Sequence, residues 1–105
     1  MGKPTERGEI WSAHLDKLRP VIIASRDDTE GVRGQTTVAT VTATMRGIPS
    51  EVRLDHRDGF AKPCAINCDE LVTIDKSRLE QRRGAISGSR RAEFDDALRF
   101  ALQLD

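Results

Sequence analysis

Arg19-Pro20-Val21-Ile22-Ile23-Ala24 is the stretch whose reading decides the fold. A short apolar run from Val21 to Ser25 reads as a buried strand. Arg19 stands where a loop enters that strand, so its position is rigidly set. A guanidinium is always charged and grips phosphate with a planar fork of donors. A second strand follows, Thr36-Thr37-Val38-Ala39-Thr40-Val41-Thr42-Ala43-Thr44, rich in threonine. Its hydroxyls are placed to help line the same site. A fixed cation beside fixed hydroxyls suits a phosphodiester better than a passive surface.

Outward from this pair, the pattern is one of short strands and tight turns. Arg7 to Leu15 alternates as a first strand, and a short link ending at Leu18 leads to the second. The polar stretch from Arg26 to Gln35 holds two glycines and reads as a loop. After a turn at Met45-Arg46-Gly47, Ile48, Val52 and Leu54 alternate with Glu51, Arg53 and Asp55, giving a half-exposed fourth strand. Pro49 falls near its start, where a missing donor is tolerable. His56 to Gly59 is another turn. Cys64 to Asp69 is a fifth strand, with Cys64, Ile66 and Cys68 facing the core and Ala65, Asn67 and Asp69 on the opposite face. Asp75 to Leu79 suits a short helical turn, and Arg83 to Ser87 a last short strand. From Ser89 the period changes to helical: Phe94, Ala97, Leu98, Ala101 and Leu102 form one apolar face, capped by Ser87 or Ser89. The expected architecture is mostly β (α+β), a small bent barrel-like sheet closed by a C-terminal helix.

Composition bounds the function. At 105 residues the chain is read as one domain over 1–105, since single cores are built from about 100–150 residues. Trp11, Phe60, Phe94 and Phe100 are its only aromatic residues, so the core rests on Val, Ile, Leu and Ala. A core this small gains from pairing with a second copy, and a dimer is expected. Lys and Arg number 17, as do Asp and Glu. Global charge therefore does not advertise a nucleic-acid binder. Residues 46–91, however, carry ten Lys/Arg against seven Asp/Glu, while Arg99 faces Glu93, Asp95, Asp96 and Asp105 in the tail. Single-stranded RNA needs a local basic groove, not a basic whole. The longest aliphatic run is far short of the roughly 20 residues of a membrane span. No apolar leader is visible at the N-terminus, so a cytoplasmic protein is expected. On one strand, Cys64 and Cys68 would lie about 13 Å apart at roughly 3.3 Å per residue, beyond the roughly 7 Å reach of a disulfide. His14 and His56 are not at a zinc-like spacing from them, so no metal site is expected.

Five pieces of the sequence carry a resemblance. They are Arg7-Gly8-Glu9-Ile10-Trp11, Arg19-Pro20-Val21-Ile22-Ile23, the segment from Val41 to Val52, the segment from Asn67 to Asp75 with Arg78-Leu79 after it, and the tail from Phe94 to Leu102. In this order and register, from about Arg7 to the end, the chain resembles the MazF/PemK (Kid) family of ribonuclease toxins from bacterial type II toxin–antitoxin systems. The resemblance implies an SH3-like barrel of five to seven short strands with a C-terminal helix, as in CcdB/PemK-like folds, and a homodimer. It implies metal-independent, sequence-specific cleavage of single-stranded RNA, with mRNA and also tRNA or rRNA as targets, and hence arrest of translation and growth. No cofactor is implied. The implied partner is a small MazE-like antitoxin whose acidic, disordered C-terminal tail fills the RNA groove.

By the same resemblance, Arg19 contacts the scissile phosphate, Thr42 completes that site, and Asp69 has a catalytic role. His14, Lys17, Thr44, Arg46 and Asn67 are the expected RNA contacts around them. Two departures stand out. Many members carry a longer loop with Glu and Gln before the Arg-Pro pair, where this chain keeps only Asp16-Lys17-Leu18. PemK-like members place an arginine two residues before the aspartate, where this chain has Asn67.

Metal-free cleavage of RNA uses the ribose 2′-hydroxyl as nucleophile. It needs a base, an acid and a charge that stabilises the crowded phosphorane. Arg19 suits the third role; as a guanidinium it is a poor acid. Thr42 is placed to hydrogen-bond a phosphate oxygen. Asp69 is the candidate base, and His14 is of the residue type that titrates near neutrality. Two rivals stand beside this reading. One is a CcdB-like toxin that poisons a topoisomerase by binding, although the Leu102-Gln103-Leu104-Asp105 ending lacks the aromatic such proteins use. The other is an inactive barrel kept as an interaction module.

Overall fold

Among residues 2–104, which the computed structural model describes, six strands pair antiparallel into one sheet. The strands are β1 (Glu9–His14), β2 (Leu18–Ile23), β3 (Gln35–Thr42), β4 (Glu51–Leu54), β5 (Cys64–Asp75) and β6 (Leu79–Ala85), and helix α1 (Gly88–Ala101) follows. The spatial order is β4-β5-β3-β2-β1-β6, so the Arg19 strand lies near the middle. The expected mostly β, barrel-like fold with a C-terminal helix is present, as a half-barrel of six antiparallel strands.

Period-two alternation builds a core on each face of the bent sheet. Ile10, Ile22, Ala39, Leu54, Ile66 and Cys68 pack on one side against Phe94, Ala97 and Leu98 of α1. Trp11, Ala13, Val21, Ile23, Val38, Ile74 and Leu79 pack on the other. Ile22, Ile23, Val38 and Phe94 have no exposed surface. Burying such side chains contributes about 1.5–3 kcal/mol each. Ser87 caps α1, its hydroxyl accepting from the Arg90 N–H at 3.3 Å. Leu102 does not join the helix's apolar face. The helix ends at Ala101, and Leu102 is 52% exposed beside exposed Phe100 and Leu104.

Most strand ends shift by two residues or fewer from expectation, but others move further, and two of those shape the site. β2 starts at Leu18, because a three-residue turn lets His14 pair with Leu18 and Ala13 with Arg19. Arg19 is thus inside the ladder with β1, not ahead of it. β2 meets β3 only from Val21 onward, opposite Thr40. The Leu18-Arg19-Pro20 end therefore splays from β3 and leaves a gap between the two strands.

β5 runs to Asp75, well past Asp69, because it bulges. Thr40 pairs with Asn67, yet its neighbour Ala39 pairs with Leu71. Cys68, Asp69 and Glu70 lie in the slack, and the bulge switches the faces of everything after it. Before it, Cys64, Ile66 and Cys68 face the helix-side core; after it, Leu71 packs there while Ile74 and Val72 face the other. β6 likewise starts at Leu79, four residues early, with two register shifts against β1.

The expected helical turn after β5 is a 3₁₀ turn at Lys76–Arg78. It hides a lysine: Lys76 is 2% exposed, bound to the Asp28 carboxylate at 2.6 Å and to the Lys3 carbonyl at 2.7 Å. That pair ties residues 2–5 over the ends of β3 and β5, with Gly2 N–H donating to the Gly31 carbonyl at 2.8 Å. Gly31 has φ +65°, and a side chain there would collide with the Gly2 carbonyl. Cys64 and Cys68 are buried free thiols. No helix among the described residues is long and apolar enough to cross a membrane.

Candidate nucleic-acid groove

The gap between β2 and β3 is a groove lined by Leu15, Asp16, Arg19, Thr40, Val41, Thr42, Asn67, Glu70 and Val72. It sits on the Trp11–Val21 face of the sheet. Arg19, Val21 and Ile23 alternate along that face, so two buried residues fix the strand that carries the guanidinium. Thr40 and Thr42 present hydroxyls from β3, two residues apart and on one side. Arg19 also forms a wall of the adjoining hollow lined by Ser12, Phe60 and Arg83. One cation therefore serves two depressions.

Asp16 occupies Arg19. Its two carboxylate oxygens accept from Nε at 2.7 Å and from Nη2 at 2.9 Å. The Arg19 hydrogen bond holds the Asp16 carboxyl well below the usual range, and Asp16 in turn raises Arg19. Glu70, reaching in from the β5 bulge, adds to that rise through its charge. Thr40 Oγ1 donates to Glu70 Oε1 at 2.6 Å, which fixes the carboxylate at the groove wall. The groove lining thus holds one cation, Arg19, with two carboxylates, Asp16 and Glu70.

Over residues 6–102 the sequence matches the family of PemK-like, MazF-like toxins of type II toxin–antitoxin systems. The chain belongs to that family. It is 34% identical over 96 residues to the endoribonuclease MazF3 of Mycobacterium tuberculosis strain H37Rv, covering 91% of this chain and 93% of that one. Its structure is similar to that of the Mycobacterium tuberculosis toxin MazF-mt6, with TM-score 0.86 and 34% identity over 92% of this chain and 98% of the other. An endoribonuclease solved in complex with its cognate antitoxin, from Mycobacterial species, shares the fold at TM-score 0.85 and 24% identity, covering 96% and 97%.

In this PemK/MazF-family chain, Arg19, Thr42 and Asn67 come together in the groove. Asp69 is not among the residues lining it. Its carboxylate accepts from Ser50 Oγ at 2.6 Å and lies 3.9 Å from Arg46. The Asn67 side-chain carbonyl accepts from the Asp69 N–H at 3.0 Å, stiffening the bulge. Thr42 Oγ1 accepts from the Thr44 N–H at 3.1 Å and so steers the loop after β3. In that loop Arg46 pairs with Glu51 at 3.4 Å. Burial pushes the Glu51 carboxyl up, but the Arg46 and Gly47 N–H groups and the Arg46 side chain outweigh it and hold it low.

His14 and Lys17 do not line the groove. His14 is exposed at the end of β1, its Nε2 3.5 Å from Glu80. Lys17 stands at the exposed tip of the β1–β2 turn, where its N–H donates to Asp16 at 3.0 Å. Two charged groove residues were not among the site candidates read from the sequence: Asp16, seen only as the remnant of a shortened loop, and Glu70. One signal for Glu70 was present. Cys64, Ile66, Cys68, Val72 and Ile74 keep one parity along β5, and Glu70 is the charge that interrupts it.

Proposed function

We propose that the groove between β2 and β3 is where this MazF-type endoribonuclease toxin cuts single-stranded RNA, over a single domain of residues 1–105. The observation that carries the reading is the groove's composition: one fixed guanidinium with two threonine hydroxyls, on a chain of this family. Arg19 receives the scissile phosphate and stabilises the charge that grows on its oxygens. Thr42 donates to one of those oxygens. The ribose 2′-hydroxyl supplies the nucleophile, so the step draws its charge stabilisation from Arg19 without a metal ion. Asn67 and the loop bearing Thr44 and Arg46 carry the flanking nucleotides, while His14 and Lys17, outside the groove lining, are left to more distant parts of the RNA.

The partner is an antitoxin with an acidic tail, because a carboxylate-rich strand satisfies Arg19 as Asp16 does. A structurally similar endoribonuclease was solved with its cognate antitoxin, which supports that pairing. The toxin acts in the cytoplasm, where its RNA substrate lies. It works as a homodimer: Phe100, Leu102 and Leu104, each more than half exposed, are apolar surface that a second copy covers. Incubating the purified protein with a long single-stranded transcript in EDTA tests the reading. Discrete fragments are expected. Bound but intact RNA would contradict it and favour a toxin that acts by binding alone.

A further inference from the structure

We infer that Glu70, not Asp69, is the carboxylate that takes the proton from the attacking 2′-hydroxyl. The inference rests on the groove being the RNA-cleaving site. Strict alternation along β5 would aim Asp69 with Asn67 into the cleft. The bulge at Cys68–Glu70 undoes this: Asp69 turns to Ser50 and Arg46 of the loop before β4, and Glu70 enters the groove.

Three observations place Glu70 for the role. It shares the groove with Arg19, Thr42 and Asn67. Thr40, itself 8% exposed, anchors one carboxylate oxygen by donating to it at 2.6 Å. That leaves the second oxygen free to accept. Asp69, by contrast, lies outside the groove lining and turns to Ser50 Oγ at 2.6 Å and to Arg46 at 3.9 Å, so it does not face the phosphate that Arg19 would hold. Once an RNA phosphate replaces Asp16 on Arg19, the groove keeps one cation and one carboxylate in its lining. This is the arrangement that general-base attack under charge stabilisation requires.

The step balances without a co-reactant beyond water. Glu70 takes the 2′-hydroxyl proton as the O2′–P bond forms. The P–O5′ bond breaks with its electron pair on O5′, which takes a proton from solvent. Glu70 later returns its proton to solvent. The products are a 2′,3′-cyclic phosphate and a 5′-hydroxyl. Thr40 is a positioning residue, acting through Glu70.

The experiment compares Glu70→Gln with Asp69→Asn in single-turnover cleavage of a short RNA, with far-ultraviolet circular dichroism confirming that both fold. Glu70→Gln keeps the Thr40 hydrogen bond and the side chain's shape. It is expected to lower kcat by roughly 10²–10⁴, to leave KM near the wild-type value, and to remove the rising limb of the pH–rate profile. Asp69→Asn is expected to lose at least tenfold less. Thr40→Val is expected to lower kcat with the pH profile shifted but not flattened. Wild-type kcat in Glu70→Gln, or a loss in Asp69→Asn that equals or exceeds it, would overturn the assignment while leaving the groove reading intact. Wild-type protein that leaves RNA whole would sink both.

Discussion

Asp16 holds Arg19 by both carboxylate oxygens, at 2.7 and 2.9 Å, in the geometry a phosphate would use. The acid comes from the tip of a three-residue turn and is two-thirds exposed on its side chain. The protein thus carries its own anion on the cation that the proposed function assigns to RNA. On that proposal, an incoming phosphate would exchange one bidentate contact for another, and the pair would both hold Arg19 at the groove and compete with RNA for it.

Asp16→Asn should therefore tighten RNA binding. Exposed ion pairs are weak, so the gain is about two- to fivefold at low salt. Fluorescence anisotropy with a 2′-deoxy substrate analogue measures it without cleavage. Weaker binding in the variant would mean that Asp16 positions Arg19 more than it competes for it.

Arg19→Lys should restore little of the activity that a neutral residue at this position removes. A lysine offers a point charge, whereas two oxygens of Asp16, and of a phosphate, are met here by a planar fork. Steady-state cleavage of a fluorogenic RNA decides the matter, and wild-type turnover in the lysine variant would contradict the fork argument.

Acid should destabilise the fold through two carboxylates. Hydrogen bonding to Lys76, then to the Arg33 N–H, lowers Asp28 to about 2, and the Arg57 side chain lowers Asp55 to about 2. Both are depressed below the unfolded value of about 3.9. Their stabilisation is complete above that value and is lost as pH falls through the folded values. The melting temperature should be flat near neutrality and fall between about pH 4 and pH 2. Asp28→Asn should melt lower at neutral pH, since it leaves Lys76 buried without its anion, and should show a shallower acid decline. An unchanged acid limb in that variant would assign the sensitivity elsewhere.

The thiols should be inert in the folded state. Burial, then the neighbouring Asp69 charge, pushes Cys68 up to about 12, and burial raises Cys64 as well. The reactive thiolate is therefore scarce at pH 8. Iodoacetamide should label neither cysteine until denaturant is added, as read by intact-protein mass spectrometry.

What the sequence disclosed divides along a physical line. Strand existence, the Ser87 cap and the Phe94–Ala97–Leu98 face follow from local periodicity, and all are present. The family likeness came instead from five motifs in order, and the resemblance, not periodicity, implied that Thr42 shares a site with Arg19; both line one groove. The Cys68–Glu70 bulge was not legible, because a bulge is a property of register between two strands, set by how β5 serves both β3 and β4. It moved the groove's carboxylate by one residue. The buried Lys76–Asp28 pair was also invisible, since its members are 48 residues apart and look like surface charges in isolation. Leu102 kept helical spacing beyond the point where the helix stops.

The measurement that tests the account most directly is single-turnover cleavage of a defined RNA by wild-type and Arg19→Ala protein, with fragment ends mapped. The groove reading predicts cleavage by the wild type at discrete sites with 2′,3′-cyclic phosphate ends, and a rate lower by roughly 10²–10³ in folded Arg19→Ala. Equal rates in the two proteins would place the chemistry somewhere other than Arg19.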